Sequence, residues 1–272
     1  MKAAYINQTG GPENIIYGDL PDPKPGPNQC LIKVAAVDVN PVDLYIRSGA
    51  VPTKLTFPYI IGRDLAGKVV ATGDAVKRFK IGDRVWATGQ GWDGRQGTFS
   101  ELAAIDESWL NQMPGNVTDE NIVAVSLVGV TAHIGLVAKA KVKSGETLFV
   151  NGGTGGVGSS VVQMAKILGA RVITTVGSDE KMEKVRALGA DHVINYRRER
   201  FEGRVRKITN RKGVDVVFEH VGPDTWEGSI LSLARGGRLV TCGSTTGVAA
   251  KTNLYLLFQQ QLRLIVSFGC RI

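Results

Sequence analysis

The sequence has 272 residues, enough to bury a sizeable core in one large or two medium domains. Its composition is ordinary for a globular protein, and no apolar run approaches the length that crosses a bilayer. Three scattered cysteines exclude a disulfide framework, and the N-terminus lacks the pattern of a signal peptide. We therefore expect a cytoplasmic protein with reduced thiols and no membrane segment.

The net charge is +8, and most of the excess lies in the segment 197–212, which has eight basic and two acidic residues. Such a run is usually a solvated helix face. The functional alternative is a positively charged surface beside a phosphate-bearing ligand. The sequence leaves both interpretations open.

Residues 1–117 are rich in Gly and Pro and contain short apolar runs bounded by turn residues, at 31–37, 67–73 and 82–87. They predict a small, mainly β, barrel-like domain, with the loop 89–97 exposed. The pattern changes at Thr118, which is followed by the acids Asp119 and Glu120. This is an N-cap signal and predicts a helix that extends toward Lys139.

From residue 146 onward, predicted strands and helices alternate. Strands are predicted at 148–151, 171–176, 192–196, 214–221 and 237–243, and helices at about 157–168, 179–188, 199–210 and 224–234. This alternation predicts an α/β fold with a doubly wound parallel sheet. A last apolar run at 262–268 predicts a strand at the sheet edge. Because an exposed apolar edge is a pairing template, we expect a homodimer.

A glycine fingerprint follows the strand at 147–150. Gly153, Gly155 and Gly158 fit the pattern G-x-G-x-x-G at a strand-to-helix turn. The first glycine permits a tight turn, the second lets the backbone approach a diphosphate, and the third lets helix and strand pack closely. The fingerprint predicts a dinucleotide at the N-terminus of the helix.

The end of the second strand indicates which dinucleotide binds. NAD sites usually carry an acid there for the ribose 2′-hydroxyl, but Val176 is followed by Gly177 and Ser178. Asp179 comes later and has the position of a first-turn helix residue. Ser178 and Lys181 are candidates for holding a 2′-phosphate, although Lys181 also fits a solvated helix position. The sequence favours NADPH.

Several motifs together resemble a known family. They are GGPE at 10–13, NPVDLYIRSG at 40–49, GDRV at 82–85, GVTA at 129–132, GGVG at 155–158 and GGRLV at 236–240. On these motifs the sequence resembles the quinone oxidoreductase (zeta-crystallin-like) branch of the zinc-free medium-chain dehydrogenase/reductase superfamily. The resemblance implies a GroES-like catalytic domain at 1–117, a Rossmann domain at 118–272, and NADPH in the cleft between them.

The resemblance also implies roles for particular residues. The residues of the 2′-phosphate site would be Lys181 and Tyr196, with Ser178 beside them. Gly156 and Val157 would contact the diphosphate, whereas Asn40 and Thr131 would lie near the nicotinamide. Asp43 and Tyr45 would shape the substrate pocket, and Tyr45 is a candidate proton donor.

Zinc-dependent relatives carry Cys where this sequence has Asn40, and Gly-His-Glu where it has Gly62-Arg63-Asp64. Asn and Arg are poor zinc ligands, so we expect an enzyme without a metal. Direct hydride transfer suits an electron-poor quinone or a related α,β-unsaturated carbonyl, and water can supply the proton.

Two further functions and one question of length stay open. An enoyl-thioester or alkenal reductase is the alternative enzyme, and the basic segment is compatible with the RNA binding known in the zeta-crystallin group. Steep salt dependence would mark RNA binding. Family members continue beyond Ile272 with a helix and final strands. We therefore expect an incomplete catalytic unit, the alternative being a naturally short form.

Overall fold

The computed structural model describes residues 1–267. The chain forms two compact units, which divide after Leu127. The expected division after residue 117 lies earlier, because the short helix at Asp119–Val123 packs against strands of the first unit. Along the described residues every helix is too short or too polar to span a membrane.

The first unit is mainly β, as expected. Its strands are β1 Lys2–Ile6, β2 Ile16–Asp19, β3 Gln29–Asp38, β4 Tyr59–Ile60, β5 Asp64–Thr72, β6 Arg84–Ala87, β7 Leu102–Asp106 and β8 Leu110–Gln112. They form a three-stranded sheet in the order β2-β1-β4 and a five-stranded antiparallel sheet in the order β7-β3-β5-β6-β8. Fully buried Ile32, Leu65, Val69 and Val85 belong to the core of the larger sheet.

Two helices complete this unit, α1 at Pro41–Ser48 and α2 at Asp119–Val123, with 3-10 turns at Pro12–Asn14 and Glu107–Trp109. The expectation that the loop 89–97 is exposed was wrong for most of its residues. Tyr59 Oη donates to the carbonyl of Gly91 over 2.9 Å, and Trp92 packs against the cluster of Ile6 and Ile46. Most of the loop is therefore packed against this unit, and Asp93 and Gln96 are its exposed residues.

The long helix predicted from Thr118 toward Lys139 is broken. Thr118 is its N-cap, since its Oγ1 accepts from Asn121 N over 3.2 Å, but α2 ends at Val123. Helix α3 covers Ser126–His133, and a π-helical segment covers Ile134–Lys139. The amide of Leu127 donates to Asp64 Oδ2 over 3.2 Å. In a continuous helix the Leu127 amide would donate to the carbonyl four residues earlier. Here it donates to a side chain of β5 instead.

The second unit is a six-stranded parallel sheet, as expected. Its strands are β9 Thr147–Val150, β10 Arg171–Val176, β11 His192–Asn195, β12 Val214–Glu219, β13 Leu233–Thr241 and β14 Arg263–Val266. Its helices are α4 Gly156–Ile167, α5 Glu180–Ala187, α6 Phe201–Ile208, α7 Pro223–Ser232 and α8 Leu254–Gln259. Strand β13 begins before the predicted 237 because Leu233 pairs with Val214 ahead of a register shift.

The strand order is β11-β10-β9-β12-β13-β14. The order of strands in the chain reverses between β9 and β12, and ligands of such sheets bind in the crevice at the carboxyl ends of the strands at this switch point. Leu148, Phe149 and Val150 of β9 are all fully buried, as expected where helices cover both faces. The predicted last strand is β14 and lies at the sheet edge; Phe268, the last residue of that prediction, lies outside the described residues.

Candidate active site

The loop between β9 and α4 carries the fingerprint glycines. A Cβ at Gly153 would lie 2.4 Å from Thr174 Oγ1, and a Cβ at Gly158 would lie 2.2 Å from the carbonyl oxygen of Gly152. These two glycines are therefore required by packing. At exposed Gly155 the nearest atom to a Cβ is that same Gly152 oxygen, at 3.3 Å. Gly155 is the fingerprint glycine that leaves room for a ligand.

The tight turn itself lies one residue before the fingerprint. Gly152 has φ of 63°, a left-handed conformation that favours glycine, whereas the fingerprint predicts the turn at Gly153. Its amide donates to Thr175 Oγ1 over 2.9 Å, and its carbonyl accepts from Gly155 N over 2.9 Å. The Gly-Gly pair at 152–153 was the available sequence signal for this turn.

Helix α4 begins directly after the turn. Gly155 is its N-cap and, having no side chain, leaves the first-turn amides uncapped; Gly156 is also exposed. A Cβ at Gly156 would lie 2.9 Å from Val128 Cγ1 of α3. Thr131 is three residues after Val128, on the same helix face, and is half-buried. An exposed, uncapped helix N-terminus with close backbone approach fits a diphosphate.

The residues expected at a 2′-phosphate follow the ends of β10 and β11. A Cβ at Gly177 would lie 2.7 Å from Tyr196 Oη, so the phenol sits against the backbone that precedes Ser178. Lys181 is exposed in the first turn of α5. Asp179 accepts from Asn195 Nδ2 over 2.8 Å and is also paired with Arg198. The carboxylate nearest the strand end is therefore already engaged.

A cavity of about 580 Å³ opens at the carboxyl ends of the strands around the switch point. Its wall includes Thr175 near the end of β10 and residues that follow β9, β11, β12 and β13, among them Gly152, Tyr196, Val221 and Thr246. The wall also includes Asn151, which sequence reasoning missed. Asn151 Nδ2 donates to Glu219 Oε2 over 3.2 Å, and Glu219 is completely buried. An acid directly after the apolar run Val216–Phe218 was the only sequence signal for Glu219.

In the first unit, the predicted residues Asn40 and Asp43 lie together at the start of α1. The Asn40 amide N–H donates to Asp43 Oδ2 over 2.8 Å, and its Nδ2 donates to Asp64 Oδ2 over 2.9 Å. All three side chains are buried. Burial raises the pKa of Asp43 to about 7 and that of Asp64 to about 6.

Tyr45 is half-buried on α1, two residues after Asp43. Residues two apart on a helix do not share a face. The structure therefore brings Asp43 to Asn40 and does not pair it with Tyr45. Within residues 1–267, no three His, Cys, Asp or Glu side chains are grouped so that they could hold a metal ion.

The basic segment 197–212 is partly neutralised within the second unit. Arg198 pairs with Asp179, Arg200 with Glu202, and Arg204 Nε lies 3.8 Å from Glu199 Oε1. Arg206 donates to the carbonyls of four other residues, Leu231, Leu233, Arg211 and Lys212. Much of this charge thus holds local structure, and RNA binding stays a prediction.

Comparison with known proteins assigns the family. The model for alcohol dehydrogenase GroES-like domains matches residues 26–115, and the model for zinc-binding dehydrogenases matches residues 156–272. A quinone oxidoreductase of Pseudomonas aeruginosa is 38% identical over 259 residues, which are 95% of this chain and 77% of the relative. The chain belongs to the quinone oxidoreductase branch of the medium-chain dehydrogenase/reductase superfamily. The fold expected from the resemblance, a GroES-like domain and a Rossmann domain, is confirmed.

Solved structures of this superfamily resemble the chain over nearly its whole length. The Escherichia coli quinone oxidoreductase complexed with NADPH has a TM-score of 0.89 and 33% identity, over 97% of this chain and 80% of that one. An NAD-dependent alcohol dehydrogenase has a TM-score of 0.93 and 32% identity, over 98% and 84%. Because these two neighbours are described with different nicotinamide cofactors, this chain's own residues must decide the cofactor.

Proposed function

We propose that this oxidoreductase binds NADPH and reduces a quinone or a related α,β-unsaturated carbonyl by hydride transfer without a metal ion. The observation that carries the proposal is the end of β10. The strand leads into Gly177 and Ser178 instead of an acid, and Tyr196 packs against Gly177. Asp179 is engaged by Asn195 and Arg198. This composition suits a 2′-phosphate better than a 2′-hydroxyl.

The proposed cofactor contacts follow from these positions. The amides at the start of α4, including those of Gly156 and Val157, bind the diphosphate. Ser178, Lys181 and Tyr196 bind the 2′-phosphate. The contacts of Asn40 and Thr131 with the nicotinamide rest on the family resemblance.

When bound, NADPH supplies the hydride. The chain contributes binding and orientation: Asp64 holds the Asn40 amide in one orientation, and Asp43 fixes the backbone of the same residue. Asp43 is in this proposal a positioning residue. Tyr45 remains the candidate proton donor, with water as the alternative.

We propose that the reaction uses no metal ion because of the residue that stands at a zinc-ligand position of related enzymes. Asn40 offers an amide where zinc enzymes carry a thiolate, and its nitrogen is already bonded to Asp64. The match to zinc-binding dehydrogenases covers residues 156–272 and does not include this position.

A panel assay tests the proposed function. Oxidation of NADPH and of NADH is followed against ortho-quinones, para-quinones, alkenals and enoyl-CoA. We expect turnover with quinones and a preference for NADPH. Turnover of enoyl-CoA in place of quinones would favour the enoyl-thioester alternative, and a preference for NADH would contradict the proposed 2′-phosphate site.

We also propose a homodimer through the edge strand β14. Its side chains Leu264 and Val266 are 40% and 74% exposed, which is unusual for a strand beside a packed core. Pairing of two such edges across a two-fold axis would cover them. The cytoplasmic location remains an expectation from the cysteine usage.

A further inference from the structure

Glu219 ends β12, is completely buried, and accepts five hydrogen bonds. Oε2 accepts from Asn151 Nδ2 over 3.2 Å and from Ser229 Oγ over 2.5 Å. Oε1 accepts from the amides of Val221 and Gly222, over 2.7 and 3.1 Å, and from Thr225 Oγ1 over 2.9 Å. The donors come from the end of β9, from the loop after β12 and from α7.

All five donors are uncharged. A buried carboxylate is costly unless its lone pairs are satisfied, and here both oxygens have at least two donors. Glu219 also lies at the N-terminal end of α7, where the helix dipole favours a negative charge. The charge is therefore stabilised by amides, hydroxyls and a helix end.

The contacts of Glu219 join the two sides of the switch-point crevice. Asn151 immediately precedes the tight turn at Gly152, and it also donates to Ser229 Oγ over 3.0 Å. Thr225 and Ser229 belong to α7 on the other side. Glu219 thus couples the start of the glycine loop to the start of α7.

From this geometry we propose that Glu219 is a positioning residue for dinucleotide binding. Its carboxylate holds Asn151, and through it the glycine turn, in the conformation that presents the α4 amides to the diphosphate. It also accepts from the Gly222 amide and the Thr225 hydroxyl at the start of α7, which fixes that helix relative to the glycine turn. This inference rests on the proposed function, because it concerns the same cofactor site.

The diphosphate is common to NADPH and NADH, whereas the 2′-phosphate is not. A substitution of Glu219 must therefore lower the affinity for NADPH and for NADH by similar factors. We expect Glu219→Gln to raise the Kd of each cofactor about tenfold. The NH2 group of the glutamine would face hydrogen-bond donors, and the remaining hydrogen bonds would no longer be made to a charged acceptor. Turnover at saturating cofactor should change much less, because the variant does not alter residues proposed to face the nicotinamide.

Two buried serines on α7 provide a matched pair should Glu219→Gln fold poorly. Ser229 donates to Glu219, whereas Ser232 donates only to the Gly228 carbonyl of its own helix, over 2.7 Å. Ser229→Ala should raise the Kd of both cofactors about threefold or more, and Ser232→Ala should leave it unchanged. Glu219→Asp should retain part of the affinity that Glu219→Gln loses.

The measurements are calorimetric titration of NADPH and NADH well below the melting temperature, and hydrogen exchange of the Gly155 amide without cofactor. That amide donates to the Gly152 carbonyl and reports on the turn. We expect faster exchange in Glu219→Gln and Ser229→Ala. If both variants melt lower but keep wild-type Kd values and Gly155 exchange, Glu219 is only structural and the inference is overturned.

The proposed function can fail separately. Wild-type protein that binds NADH in preference to NADPH would contradict the proposed cofactor, yet the Glu219 comparison would still be decided with NADH. Wild-type protein that binds neither dinucleotide would overturn both proposals.

Discussion

The glycine loop permits one prediction that separates folding from binding. Gly155 and Gly158 belong to the same fingerprint, but only Gly158 is closely surrounded. Gly155 has φ of −77° and ψ of 167°, a conformation that alanine adopts without strain. The substitutions Gly155→Ala and Gly158→Ala therefore add the same methyl group in opposite environments.

The size of each effect follows from the space available. At Gly158 the methyl would lie 2.2 Å from the oxygen and 2.8 Å from the carbon of the Gly152 carbonyl, so backbone must move. Overpacking of this kind costs about 1–3 kcal/mol or more, which lowers Tm by about 5–10 °C. At Gly155 the closest atom is 3.3 Å away, and replacing an N-cap glycine by alanine costs about 1 kcal/mol or less.

Gly155→Ala should instead affect binding while the fold stays stable. The Gly155→Ala methyl projects into the space proposed for the diphosphate, and we expect NADPH affinity to fall about tenfold, equivalent to about 1.4 kcal/mol. Thermal melts and NADPH titration measure the two effects independently. A Gly155→Ala variant that binds NADPH like the wild type, or a Gly158→Ala variant of wild-type stability, would refute this reasoning.

Four smaller predictions accompany it. Lys181→Glu should weaken NADPH binding about tenfold or more and spare NADH, because it removes one charge-assisted phosphate contact; equal losses in titration would mean that Lys181 acts structurally. Elemental analysis should find far less than one zinc per chain, and quinone reduction should survive chelators, whereas stoichiometric zinc would contradict the metal-free proposal. Val266→Lys should convert the dimer to monomer in light scattering, and a wild-type monomer at micromolar concentration would exclude the β14 interface. Because burial raises the pKa of Asp43 to about 7 from 3.8, the folded state keeps a proton that the unfolded chain loses near pH 4. The free energy of unfolding should therefore decline as pH rises from about 4 to 7. Denaturation curves of Asp43→Asn should show a smaller decline, the remainder coming from Asp64, whose pKa burial raises to about 6.

Sequence periodicity predicted the second unit well because its strands are covered on both faces. Continuous apolar strands, separated by amphipathic helices, have few alternatives to a parallel sheet. The predicted strand at 171–176 agrees with β10 at both ends, and the late apolar run was correctly placed at the sheet edge. These features depend on local pattern and on chain connectivity.

Features that depend on distant partners could not be predicted. The helix expected to continue from Thr118 is interrupted where Leu127 donates to Asp64, a residue 63 positions earlier. The loop around Gly91 contains turn residues typical of an exposed segment, yet Tyr59 binds it into the core. In each case one side chain from another element outweighs the local preference.

The choice between two helix N-termini shows the same limit at the candidate site. In sequence, α4 and α7 both follow a buried strand and a glycine turn, at 152–156 and at Gly222, so either could offer its amides to an anion. The structure distinguishes them because the start of α7 is already engaged: Pro223 has no amide donor, the Asp224 amide donates to Thr246 Oγ1, and Glu219 accepts from the Gly222 amide. No side chain caps α4. A second anion at α7 would be repelled by that carboxylate, whereas α4 begins at the exposed Gly155. The glycine fingerprint is therefore selective only together with the contacts that engage the start of α7, from Thr246 and from an acid 61 residues beyond Gly158 in the sequence.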